Sequence, residues 1–105
     1  MRAKLLLLLP CLLAQPALSE SYSGYGVVTE LSVGATWARV KTADMGISNE
    51  GCSNSTWYVL EDIKNESREM YATLLAAKLS AQRVRLQLTG CYSNYAKITH
   101  VYVVS

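Results

Sequence analysis

Residues 66–90 read "ESREMYATLLAAKLSAQRVRLQLTG", and the hydrophobic period changes partway through them. Met70, Leu74, Ala77 and Ala81 recur at helical spacing, with Tyr71, Leu75 and Lys78 beside them. This predicts one amphipathic helix of about four turns over residues 66–82. Asn65 stands where an N-cap belongs, and Glu66 and Glu69 suit the positive end of the helix dipole. From Arg83 the period drops to two. Val84, Leu86 and Leu88 fall on one face, Arg83, Arg85 and Gln87 on the other, and Gly90 ends the run.

Working outward, the flanks are extended. Upstream, "YGVVTELSV" puts Tyr25, Val27, Thr29, Leu31 and Val33 on one face. Gly34 turns the chain, and "ATWARVKT" alternates again, with Trp37, Arg39 and Lys41 opposite Ala38 and Val40. The pair predicts a hairpin. Residues 20–24 are polar and read as loose. Residues 43–51 form a loop marked by Gly46, Asn49 and Gly51. "TWYVLE" is a third strand. Downstream, "YSN" is a turn and "AKITHVYVV" the last strand, whose imperfect alternation implies a bulge or cover on both faces. The order β-β-β-α-β-β predicts a mainly β domain with one helix: a five-stranded OB-fold barrel, the helix closing one end.

The N-terminus has its own grammar. Arg2 and Lys4 precede the apolar run Leu5 to Leu13, and Ala17-Leu18-Ser19 is a small-x-small cleavage site. This predicts a signal peptide over residues 1–19, a single OB-like domain over residues 20–105, and a secreted or periplasmic location. A lipidated Cys11 is the rival, opposed by Pro10 directly before it. The apolar run is shorter than the roughly 20 residues a membrane helix needs, so no membrane span is expected. Of ten Lys/Arg, Arg2 and Lys4 leave with the signal. Eight remain against eight Asp/Glu, and this neutrality argues against nucleic acid as a partner.

Three cysteines become two once Cys11 is gone. In an exported chain the even pair Cys52 and Cys91 reads as a disulfide. It would close a loop of about 39 residues, worth about 4 kcal/mol on the chain-entropy model. The rival is a metal site, for which two cysteines without a nearby histidine are poorly spaced.

Catalytic constellations are not evident, and no enzyme, cofactor or metal is expected. The single histidine, His100, sits inside a strand, and the adjacent Glu61 and Asp62 diverge on a regular element. Binding has more support. The chain uses seven tyrosines and two tryptophans but no phenylalanine. Tyr and Trp suit surfaces both apolar and wet, although strands also favour them. The candidates are Tyr25, Trp37, Tyr92 and Tyr95 as flat aromatic faces, with Asn54 and Ser55 supplying polar groups suited to sugar hydroxyls. Asn54-Ser55-Thr56 and Asn65-Glu66-Ser67 are also glycosylation sequons.

The runs "GVVTELSVG", "CSNSTWYVL" and "LLAAKLSAQRVRLQLTGC" resemble the small secreted B subunits of bacterial AB5 toxins, of the subtilase cytotoxin and pertussis-like type. The resemblance covers most of the chain after the signal. It implies an OB fold, a ring of five subunits and glycan binding at the ring surface. In that family a serine just before the first strand helps hold the sugar. Here Tyr25 stands at that place, with Ser23 two residues earlier. The expectation is a non-catalytic binding module, glycan-binding and pentameric. The alternative is a small exported structural or protein-interaction domain that docks through a strand edge or the Trp37 face. A third reading gathers Arg39, Lys41, Arg83 and Arg85 with Trp37 into a stripe for single-stranded nucleic acid.

Overall fold

The computed structural model describes residues 21–46 and 49–104; the stretch read as a signal peptide lies outside them. The strands are β1 (Ser21–Tyr22), β2 (Gly26–Val33), β3 (Trp37–Thr42), β4 (Asn54–Glu61), β5 (Arg83–Tyr92) and β6 (Tyr95–Val104), with helix α1 (Arg68–Ser80) between β4 and β5. Strands β5, β2, β3, β4 and β6 pair in that order, and β6 returns to β5. The result is a closed five-stranded barrel of OB type, with β4 and β6 parallel and the other pairs antiparallel. Val40, Leu60, Leu74, Val84, Leu86 and Leu88 are wholly buried inside it. No helix among the described residues is long and apolar enough to cross a membrane.

Residues 20–24 were expected to be loose. Instead Ser21 and Tyr22 pair with Leu88 and Gln87 as the short strand β1. Ser23 continues the contact: its N–H donates to Leu86 O at 2.9 Å, and its Oγ accepts from Leu86 N–H at 2.9 Å. A serine side chain thus stands in for a carbonyl of the ladder, and the chain bends without orphaning a buried donor.

Two bulges explain where simple alternation misleads. In β2, Val28 pairs with Thr42 and Glu30 with Lys41, so Thr29 is an extra residue. The phase slips there: Val28 is in the core and Leu31 packs against it, whereas Val27 and Thr29 do not. In β6, Thr99 is extra between Ile98 and His100. Ala96 and Ile98 face inward before it, and Val101 packs on the core after it. One inserted residue exchanges the two faces of a strand.

The helix begins later than its sequence pattern suggests. Ser67, not Asn65, holds the N-cap position, and no side chain caps it. Asn65 instead donates from Nδ2 to Asp62 Oδ1. Leu74 and Ala77 are buried as expected, but Ala81 is a left-handed C-cap rather than part of the apolar face. Its N–H reaches Lys78 O, and Gln82 N–H reaches Ala77 O, closing the helix as a Schellman-type end.

The expected disulfide is present, joining Cys52 to Cys91 with their Cα atoms 5.8 Å apart. Cys91 lies within β5, not after it, because the strand continues past Gly90 through a bulge. Gly90 has a φ of 69°, a conformation that favours glycine. On the inner face, Tyr58 donates its hydroxyl to Met45 O and so ties the 43–53 loop to the barrel. Burial, reinforced by the negative charge of Asp44, pushes the Tyr58 phenol up to about 12.

Candidate functional site: an aromatic groove around Arg39

Odd-numbered residues of β3 and β4 point out of the barrel. Arg39 pairs with Val59 and Trp37 with Glu61, so these four share one outer patch. The parallel pairing of Val59 with Lys97 brings the start of β6 to the same patch. Between β5 and β6 the chain turns in two residues, Ser93 and Asn94, with φ of 52° and 72°. A two-residue turn with both φ values positive matches the twist of the strands. It sets Tyr92 and Tyr95 opposite each other at the rim.

Together Trp37, Arg39, Val59, Tyr92, Ser93 and Tyr95 line a groove of about 380 Å³. Val59 is only 2% exposed yet does not belong to the barrel core, because it is the floor of this groove. Trp37 is seated by Gly34. A Cβ on Gly34 would come within 2.6 Å of the indole, so only glycine lets the ring lie against the hairpin.

Arg39 is the centre of the arrangement. Its Cζ lies 5.1 Å from the Trp37 ring centroid, 5.1 Å from that of Trp57 and 5.6 Å from that of Tyr95. Nη1 donates to the Tyr95 hydroxyl at 3.0 Å. Its Nε is buried and has no hydrogen-bond partner among the described residues. A guanidinium held by three aromatic faces is a preorganised set of donors for a ligand carrying acceptors. Lys41 extends the patch, with Nζ 4.6 Å from the Trp57 centroid and 3.4 Å from Glu30 Oε1.

The sequence candidates divide between two places. Trp37, Tyr92 and Tyr95 meet in the groove. Asn54 is opposite Tyr95 in the register but does not line the groove. Its Oδ1 accepts from Thr56 N–H at 2.9 Å and Thr56 Oγ1 at 2.6 Å, a local turn, and Ser55 beside it is exposed. Ser23 is 5% exposed with its hydroxyl engaged in the ladder. Tyr25 is half-exposed and belongs to a different cluster, where its hydroxyl accepts from Arg85 Nη1 at 3.2 Å. Arg85 is also packed on Tyr22, 3.9 Å from its centroid, and on Tyr102 at 5.7 Å. His100 packs against Tyr102, with centroids 4.5 Å apart and the rings tilted by 46°. The basic stripe is therefore divided: Arg39 and Lys41 serve one cluster on β3, Arg85 another on β5, and these strands are not neighbours in the barrel.

Val59 as the floor and Ser93 at the rim were not singled out as ligand contacts from sequence, and Arg39 was singled out only as part of a stripe for nucleic acid, not as the hub of a groove. Alternation places residues 37 and 39, and 57 and 59, outward. Only the strand register shows that they meet. No protein-family model, curated protein or solved structure matches the chain.

Proposed function

We propose that the protein is an exported, non-catalytic binding module that holds a carbohydrate in the Arg39 groove. The observation that carries this is the Arg39 guanidinium fixed between the half-buried rings of Trp37 and Tyr95 in the groove. Aromatic faces stack on the C–H surface of a sugar ring, and a guanidinium donates to its oxygens. The groove volume falls in the roughly 300–1,000 Å³ range of small-molecule sites. The disulfide is in keeping with a secreted or periplasmic location.

The same reading makes the module one subunit of a ring. Among the described residues, beyond Val28 β2 pairs only with β3, and beyond Lys97 β6 pairs only with β5. Two different open edges on one subunit suit a head-to-tail contact, which closes into a ring. The number five rests on the resemblance to toxin B subunits. The same edges also favour the alternative, a small exported domain that docks on a partner protein by strand addition.

The test is a glycan array probed with the oxidised protein, alongside its mass by light scattering. Binding that disappears in Trp37→Ala and Tyr95→Ala, in a particle of about five subunits, supports the proposal. An empty array with a monomeric particle overturns it and turns the search to protein partners.

A further inference from the structure

A second cavity, of about 220 Å³, opens where the N-terminal end of α1 meets β4 and β6. Its wall holds Ser67, which is 6% exposed. Ser67 occupies the N-cap position but makes no capping hydrogen bond. Among the described residues its hydroxyl has no hydrogen-bond partner, and the oxygen is open to the cavity rather than sealed in the interior. Arg68 N–H is bonded to Asn65 O and Tyr71 N–H to Ser67 O. That leaves the N–H groups of Glu69 and Met70 at the open end of the helix.

Helix ends of this kind suit anions, but the surrounding charge does not. Glu61 and Glu66 contribute two carboxylates to the wall, and Lys97 a single ammonium. That ammonium is already 3.5 Å from Glu61 Oε1. An anion would meet a net negative wall. A neutral polyol would not: carboxylates accept from hydroxyls, while Lys97 and Ser67 donate to hydroxyl or ring oxygens. Met70 and Ile98 supply an apolar surface for C–H groups. The volume is below the roughly 300 Å³ at which drug-sized sites begin, which limits the occupant to one ring.

We propose that this cavity is a second binding site, for a single neutral hexose residue, with Ser67, Glu61, Glu66 and Lys97 as its polar contacts. It shares no lining residue with the Arg39 groove. The two sites therefore stand or fall separately.

The test follows amide resonances of the isotope-labelled, oxidised protein. The probes are methyl glycosides of glucose, galactose and mannose, and inorganic phosphate. At least one neutral glycoside is expected to shift Ser67, Met70 and Lys97 saturably. Lys97→Met, at an exposed ion pair, should weaken that binding about tenfold and Ser67→Ala about fivefold, the range expected for lost hydrogen bonds. Arg39→Met should leave it unchanged, whether or not the groove binds sugar. Three results overturn the proposal: phosphate alone moves these resonances, no probe moves them, or Arg39→Met abolishes the shifts. Lys97→Met keeps the test valid if Ser67→Ala does not fold.

Discussion

Arg39 and Tyr95 bridge two strands that do not touch. Arg39 is on β3 and Tyr95 on β6, with β4 between them. The 3.0 Å hydrogen bond from Nη1 to the phenol crosses above Val59 and roofs it. The aliphatic stem of Arg39 covers apolar surface while its head orders the aromatics.

Arg39→Met preserves that stem and removes the fork. It is expected to cost about 1 kcal/mol of stability, the net value of a hydrogen bond, and to weaken groove binding at least tenfold. Arg39→Ala also uncovers Val59, so its loss of stability should be about twice as large. Thermal melts and ligand titration of both variants read the two effects separately. Equal binding by Arg39→Met and the parent would exclude the guanidinium as a contact.

Ser23→Ala leaves the Leu86 N–H without its acceptor inside the barrel. A buried orphan donor costs about 1–3 kcal/mol. Urea denaturation should show that loss while groove binding stays as it was. A silent Ser23→Ala would mean that the Oγ contact carries no stability.

Replacing both Cys52 and Cys91 by alanine opens a loop with a sequence separation of 39. The expected loss is about 4 kcal/mol, a large fraction of what a domain of this size holds. A loss below about 1 kcal/mol by urea denaturation would show that residual structure already restrains this loop in the unfolded chain.

Tyr58 gives the fold an alkaline limit. Its phenol is held protonated in the folded chain, up to about 12 against an ordinary 10.0. The folded state therefore keeps a proton that the unfolded state loses. This contribution is complete below pH 10 and is lost as pH rises towards 12. Tyr58→Phe should cost about 1 kcal/mol at neutral pH through the lost bond to Met45 O. Its melting temperature should then fall less steeply than the parent's above pH 10. Parallel curves would place the alkaline loss elsewhere.

Much of this was legible along the chain because it is encoded locally. Leu74 and Ala77 reveal the helix through a period of 3.6, and Val84, Leu86 and Leu88 reveal a strand through a period of two. Their order is enough for an OB-type barrel, and two cysteines in a chain read as exported are enough for the disulfide. A bulge in the last strand was legible as one reading of its broken alternation, but its place at Thr99, and the bulge at Thr29, were not, since they depend on what the partner strand does. Asn65 was misplaced as a cap because Asp62 competes for its side chain.

The sequence by itself determined which residues face in or out wherever alternation is unbroken, because that is a property of consecutive backbone geometry. The groove was decided by tertiary structure alone. Trp37, Arg39, Val59 and Tyr95 belong to three strands, and nothing in their spacing says that residue 39 lies opposite 59 or within a hydrogen bond of 95. Ser67 is the same case: only the packing of α1 against β6 makes a residue at a helix N-cap position part of a cavity wall. Register and packing are set by the closure of the whole barrel, and closure is a global condition that no local stretch of chain contains.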